Sequence, residues 1–397
     1  MRFAESPEHT AIRAEASAWL EEHFPRWKAE AGDVDGRAIE ELRAWQRILA
    51  ESAWGAPAWP VEYGGRGFGV VESAIWQEEK AKVGANIPFN VPGFGMAGPT
   101  IISHGTDDQK ERFLPSLLAG EHIWCQLFSE PGAGSDLASL STRAVQEDDE
   151  WVVTGQKVWS SGAADAEWGI LLARHDFEAP KHKGLIYLLV DMHSDGVDVR
   201  PLKQMDGGAH FSEVFLTDVR VPAENVLGSP GEGWAVAMTT LMNERMSLGS
   251  ATGGYAYPFD QLVNMGHLQY PEGIPKVQRD RLVQVFIANQ LLELLNARIL
   301  SKLNRGQIPD AEGSVLKLVL AKLVSDSAET GVHLIGPRGG LIEDAGVQHA
   351  FLGSRAFHIG GGTDEIQRNV IAERVLGLPR EPRPDKDRPF RETLAGK

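Results

Sequence analysis

EWVVTGQKVWS, residues 150–160, carries the two-residue period that decides the fold. It is short, rich in Val and Trp, and bounded by turn residues, as a half-buried strand is. Working outward, Gly169–Arg174, Gly184–Asp191, Val197–Leu202 and Glu213–Val221 have the same character. Between about Glu121 and Gly228 the spacing therefore predicts a small barrel or sandwich. On both sides the apolar period becomes helical: Ile12, Ala16, Trp19 and Leu20, then Leu42, Trp45 and Leu49, before the strands. After them it resumes at Gly233 and runs to about Leu378, with long stretches at Arg279–Arg305 and Val315–Leu334. Pro60–Gly69 and Pro88–Pro99 read as loops between helices. Tyr255–Pro275, rich in Tyr, Gly and Pro, reads as a long functional loop or a lid. The order is helices, strands, helices, with domains at 1–120, 121–230 and 231–397 and an exposed tail from Pro379 that lies on the surface or reaches a partner. The fold class is α+β, mainly α.

A chain of 397 residues with 42% hydrophobic content is long enough for several cores. Its net charge of -16 repels phosphate polymers and anionic membranes, which disfavours a nucleic-acid partner or a membrane surface. With Cys125 as the sole cysteine no internal disulfide can form, and its neighbours Trp124 and Leu127 mark it as a small buried residue. Glu5, Glu8 and Glu15 break the profile of a signal peptide, and no uncharged run approaches bilayer length, so the expected address is cytoplasmic. The twelve histidines lack metal-ligand spacing, and His175, His182 and His193 near turns read as solvated. There is no GxSxG elbow, P-loop or GxGxxG fingerprint after a strand.

Two glycine-rich turns carry the chemistry. EPGAGSD (Glu130–Asp136) is a tight turn in which Ser135 offers a hydroxyl and Gly134 an unhindered N–H. In GGGTDEIQR (Gly360–Arg368), Thr363 is a good N-cap, and the three glycines free backbone N–H groups for an anion or a polar oxygen. Asp364 and Glu365 would compete with a phosphate there, so this turn suits the uncharged part of a cofactor. A plain helix entry is the alternative. Trp159, with Ser160 and Ser161 beside it, is either core or the flank of a flat ring. On the helix from Gly233, Ala237, Leu241, Glu244 and Leu248 share a stripe, which places a carboxylate in an apolar face. Desolvation there raises proton affinity and the adjacent Arg245 lowers it, so Glu244 is either a base or half of a helix-edge ion pair.

Taken with SEPGAGSD (129–136), TGQKVWSSGA (154–163), FSEVFLTDVRVPAENVLG (211–228) and GGGTDEIQRNVIAERVLGLP (360–379), the chain resembles the acyl-CoA dehydrogenase family over almost its whole length. The resemblance implies an N-terminal helical domain, a central β-barrel and a C-terminal four-helix bundle. It implies FAD-dependent α,β-dehydrogenation of an acyl-CoA, with electrons passed to an electron-transfer flavoprotein. By position, Phe128 and Ser129 match residues that meet the flavin ring, Gly134 and Ser135 the pyrophosphate turn, Trp159 and Ser161 one flank of the isoalloxazine, and Gly362, Thr363 and Glu365 the C-terminal contact. Gly98, in the Met96–Thr100 segment, and Arg245 match the substrate side.

Many members carry the catalytic glutamate where this sequence has Gly361. A minority place it on the first helix of the C-terminal domain, and Glu244 in LMNERMSLG is the matching position. Gly361 would keep its N–H as an oxyanion donor. Homotetrameric members also carry an Arg-x-x-Phe-Gly and a Gln-x-x-Gly-Gly-x-Gly segment near the adenine. Here those regions read Tyr255–Pro275 and HLIGPRG (His333–Gly339), without that arginine or glutamine. Some actinobacterial relatives acting on sterol side chains pair two different chains, and this one looks like the base-bearing partner. The expected assembly is a homo-oligomer or such a heteromer. The alternatives are a non-catalytic partner subunit and a same-fold flavin oxidase or monooxygenase.

Overall fold

The computed structural model describes residues 6–32, 38–248, 257–303, 305, 307, 312–341 and 345–393. Its chain divides into two compact units. The first comprises Met1–Leu202, His210–Glu244 and Pro384–Lys397, and the second Lys203–Ala209 and Arg245–Arg383.

In the first unit, α1 (Pro7–Ala31) starts at Ser6, whose hydroxyl accepts the His9 N–H while Pro7 occupies the first helical position. Ala16, Leu20, Phe24 and Trp27 form its buried face. They pack against Trp45 and Leu49 of α2 (Ile39–Glu51), Trp76 of α3 (Val70–Val83) and Trp54. Pro88–Pro99, expected as a loop, instead holds a π-helical turn at Gly93–Ala97 that runs into α4 (Gly98–His104). Glycine punctuation misled here because these small residues serve packing: a Cβ on Gly98 would sit 2.1 Å from the Trp59 ring. The capping box of Thr106 and Gln109 opens α5 (Asp107–Leu118).

Seven strands follow: β1 (Trp124–Leu127), β2 (Arg143–Glu147), β3 (Glu150–Ser161), β4 (Trp168–Arg174), β5 (Leu185–Asp191), β6 (Val197–Leu202) and β7 (Phe211–Pro222). They form one curled sheet in the order β1-β4-β2-β3-β7-β6, with β5 on the other edge of β4. Its inner layer includes Val153, Leu171, Ile186, Leu188 and Val214. The β3–β7 ladder carries two register shifts that cancel. Near Val153 the additional residue belongs to β7, where Asp218 takes φ 50° and exchanges hydrogen bonds with the Thr154 hydroxyl. Near Lys157 it belongs to β3, where Trp159 takes φ 64°. His175 departs from the solvated reading: it is half-buried, its ring stands edge-on to Trp151, and burial lowers its pKa.

Helix α6 (Gly233–Leu248) begins in the first unit. The second unit continues with α7 (Phe259–Gln269), α8 (Lys276–Leu303), α9 (Glu312–Ile335), α10 (Ala345–Gly353) and α11 (Asp364–Val370). Within Tyr255–Pro275, whose first two residues lie outside the described ones, the structure has α7 in place of a loop. Phe259, Leu262, Val263 and Gly266 share one face, and that face buries Leu262 against Leu282, Val285, Leu323 and Leu334. Pro258 and Tyr270–Pro275 are the punctuation around a helix, and not evidence against one.

The described part of the tail is exposed over most of its length, with Phe390 and Thr393 as exceptions. Phe390 is buried and returns to the sheet domain of the first unit.

Candidate functional site

The glycine-rich turn after β1 is built on a buried ion pair. Lys157, fully buried in β3, donates to Glu130 Oε1 (2.8 Å), the Phe128 carbonyl (3.0 Å) and the Leu172 carbonyl (2.8 Å). Three acceptors fill the full valence of an ammonium. Glu130 also accepts from the backbone N–H groups of Ser141 and Thr142 and from the Ser141 hydroxyl. Burial alone would raise the Glu130 carboxyl, but Lys157 and these donors hold it below its ordinary value. The Val158 N–H bonds the Ser129 carbonyl at 2.9 Å. The segment 128–130 is thus fixed to β3 side by side, and the turn closes by reciprocal backbone bonds between Glu130 and Ala133. Gly134 and Ser135 stand exposed beyond it, and a Cβ at Gly132 or Gly134 would project into open space.

Alternation along β3 puts Trp151, Val153 and Lys157 inward, and Trp159 would follow them. The bulge overrides that parity. Left-handed backbone costs a bulky residue about 1–2 kcal/mol, and here it turns the indole out to 62% exposure. Its ring stands edge-on to Phe211 (6.0 Å), Ser161 is exposed beside it, and the Ser160 hydroxyl is buried with no protein partner. An unstacked indole held by a strained bulge is a feature of binding sites more than of cores.

Helix α6 is seated by Gly233, where a Cβ would approach the β5 backbone at Leu185–Ile186 within 2.7 Å. One face of it buries Val236, Ala237 and Thr240. The Thr240 hydroxyl meets Tyr187 Oη at 2.9 Å and Thr100 Oγ1 at 3.0 Å, and Thr100 donates to the Met96 carbonyl at 2.7 Å. Burial pushes the Tyr187 phenol up, so it stays neutral and hydrogen-bonding. The same Tyr187 ring stands perpendicular to Phe128 at 5.8 Å. Glu244 lies one turn beyond Thr240 on that helix, about 6 Å along its axis, and is half-buried. The first unit thus ties the Glu244 helix to the Met96–Thr100 segment by hydrogen bonds and to Phe128 by ring contact through Tyr187. The alternative pairing with Arg245 falls on a side chain outside the described residues.

In the second unit, Gly361 (φ 65°) and Gly362 (φ 87°) take left-handed backbone, as glycines do at little cost. Thr363 caps α11, accepting the Ile366 N–H, and the buried Gln367 amide donates to the Gly361 carbonyl at 2.9 Å. His358 Nδ1 donates to Asp364 at 2.6 Å, Ser325 meets its other nitrogen at 2.8 Å, and Lys317 bonds Asp364 at 2.9 Å. Burial opposes the Asp364 charge, but His358 and Lys317 hold its pKa below the ordinary 3.8. Glu365 is exposed and pairs loosely with Arg368.

In the first unit, an exposed indole and an open backbone turn fit a long cofactor with a flat ring and a pyrophosphate. Sequence reasoning missed Lys157, Thr100, Thr240 and Tyr187. Only Lys157 left a trace, its inward parity on β3.

Models of the acyl-CoA dehydrogenase N-terminal, middle and C-terminal domains match residues 6–121, 125–219 and 231–376. The chain belongs to the acyl-CoA dehydrogenase family. Membership makes it an oxidoreductase of the CH–CH class within a flavoprotein family of lipid metabolism. It is 44% identical over 342 residues to acyl-CoA dehydrogenase FadE34 of Mycobacterium tuberculosis, an alignment covering 86% of this chain and 47% of that one, so the chain spans about half the length of FadE34. Acyl-CoA dehydrogenase IpdE1 of the same organism is 38% identical over 383 residues, covering 93% of this chain and 98% of that one. Among solved structures, the Tcur3481-Tcur3483 steroid ACAD superposes with a TM-score of 0.79 at 27% identity, covering 96% of this chain and all of that one. The ChsE4-ChsE5 complex from Mycobacterium tuberculosis does so with a TM-score of 0.78 at 28% identity, again covering 96% and all. No described helix is long and apolar enough to cross a membrane.

Proposed function

We propose that this chain converts an acyl-CoA thioester to its trans-2-enoyl-CoA with FAD as acceptor, and that Glu244 is the base. The observation that carries the reading is the Thr240–Tyr187–Phe128 linkage, which fixes the Glu244 helix to the segment read as meeting the flavin. FAD, when bound, would supply the acceptor for the hydride that leaves Cβ. The protein does the rest. Glu244 accepts the Cα proton. Gly361 offers its backbone N–H to the thioester oxygen as enolate character develops, a donor of a kind worth roughly 10²- to 10³-fold in rate. Phe128, Ser129, Trp159 and Ser161 orient the flat ring, Gly134 and Ser135 bind the pyrophosphate, and Gly362, Thr363 and Glu365 add contacts from the second unit. Gly98 and Arg245 belong to the substrate side, although burial of Gly98 under Trp59 limits it to shaping the wall. Replacing Glu244 by Gln should leave flavin content and fold intact while turnover falls by roughly 10²- to 10⁴-fold. Activity within a few-fold of wild type would refute the assignment.

The substrate is read as a bulky acyl-CoA, such as one carrying a sterol side chain, and the acceptor of the electrons as an electron-transfer flavoprotein. The name of one neighbouring structure, a steroid ACAD, supports the first. A second chain of the same family is the proposed partner. Val283, Phe286, Ile287, Leu291 and Leu294 expose an apolar stripe along α8, wide enough to seek a protein surface. Gly361 and the missing adenine-side residues also favour a second reading, a non-catalytic subunit completing a neighbour's site. The visible spectrum bears on the two: flavin retained by the chain purified alone supports catalysis, and its absence from the chain both alone and with its partner supports the structural role.

A further inference from the structure

The C-terminal segment does something the proposed reaction does not ask of it. Phe390 places its ring 3.5 Å from the guanidinium carbon of Arg174, which is itself completely buried. Arg174 spends its N–H groups on three carbonyls: Ala138 (2.6 Å), Leu140 (3.0 Å) and Lys181 (3.2 Å). Ala138 and Leu140 directly continue the glycine-rich turn, and the next two amides, Ser141 and Thr142, are those that hold Glu130. A second route joins the same places. Lys181 Nζ bonds both carboxylate oxygens of Asp136 (3.1 and 2.9 Å) and lies 3.4 Å from Asp385 of the tail. The tail is further pinned by the Phe390 N–H to the Ala179 carbonyl, the Arg391 N–H to the Phe177 carbonyl and an Arg391–Glu178 ion pair at 2.8 Å. Cation–π stacking on a desolvated guanidinium is among the stronger contacts of its kind.

We propose that residues 384–393 form a strap that holds segment 136–142, and with it the turn at Gly134–Ser135, in the shape that receives the cofactor's phosphates, with Arg174, Lys181, Asp385 and Phe390 as positioning residues. The proposal rests on reading that turn as the FAD pyrophosphate contact. Two measurements separate the strap from that reading. The first is amide hydrogen exchange of the flavin-free full chain, in whatever assembly it purifies. Phe390→Ala, or a stop after Arg383, should speed exchange at residues 137–142 by about tenfold while the β3–β7 ladder keeps its protection. The second is the dissociation constant for FAD, followed by flavin fluorescence, which should rise about tenfold in the same variants and about two- to threefold in Asp385→Asn. Phe390→Trp retains a ring over the guanidinium and should restore both values. Should the truncation or Phe390→Ala fail to fold, Asp385→Asn and Phe390→Trp still decide. Unchanged exchange at 137–142 overturns the strap, and so does faster exchange with an unchanged dissociation constant. A wild-type chain that binds no FAD overturns the functional reading, whereas the exchange experiment still judges the strap.

Discussion

Replacing Lys157 by Met tests whether the buried pair with Glu130 is what builds the site. Met occupies nearly the same volume, so no cavity term enters, and the loss is electrostatic and hydrogen-bonding. The substitution strips the Phe128 and Leu172 carbonyls of their ammonium donor and leaves the buried Glu130 with only its Ser141 and Thr142 donors. Breaking one side of such a pair costs about 3–5 kcal/mol. At roughly 2–4 °C per kcal/mol, thermal unfolding at a fixed scan rate should fall by about 10 °C. The pH dependence has a definite sign. Glu130 has a folded pKa below its ordinary 4.5, so its contribution is complete above that value and is lost as pH falls through the folded one. In Lys157→Met that depression disappears, so the deficit against wild type should be largest near neutrality and shrink in acid. Adding Glu130→Gln should recover part of the loss, since removing both charges is milder than removing one. A single variant melting within 1–2 °C of wild type at neutral pH would refute this reasoning.

Trp159→Gly should leave stability within about 1 kcal/mol, because relief of the left-handed strain offsets glycine's added chain entropy, yet weaken FAD binding measured by fluorescence titration. Thr240→Val removes one partner each of the buried Tyr187 and Thr100 hydroxyls and should cost about 1–3 kcal/mol by thermal unfolding, while Ser103→Ala, an exposed hydroxyl, serves as a neutral control. Asp364→Asn should remove an acid-labile contribution. The wild-type carboxylate adds stability above its ordinary 3.8 that fades as pH falls through its lower folded value, so the two melting curves should converge toward low pH. Burial raises the Cys125 thiol to about 12, and a thiol-reactive dye at pH 8 should label it only on unfolding.

Much of the architecture was legible because period carries it. The five strands read from residues 150–221 recur within two residues, and Arg279–Arg305 and Val315–Leu334 recur as α8 and α9. The strands β1 and β2 were not separately legible: one has four residues, and the other buries only Ala144, so neither shows alternation. Helix α7 hid behind its flanking prolines and glycines. At the site, Thr363 was readable as a cap because capping is local. The sidedness of Trp159 was not, since it depends on a bulge set by pairing with a strand some fifty residues away. Glu130 and Lys157 both sit in motifs that drew attention, but their partnership spans 27 residues and exists only in three dimensions.

The paired irregularities in the β3–β7 ladder have a consequence for how this scaffold can change. Because each strand contributes one surplus residue, the ends of the ladder stay in step, and the offset is confined to the short stretch around Gly155–Lys157. Deleting Asp218 alone would remove one bulge and leave every recorded pair in place with the Trp159 bulge, whereas deleting Asp218 and Trp159 together should yield a regular ribbon with no projecting indole. The frame and the projecting indole are therefore separable, and a lineage could lose or relocate the latter without rebuilding the former.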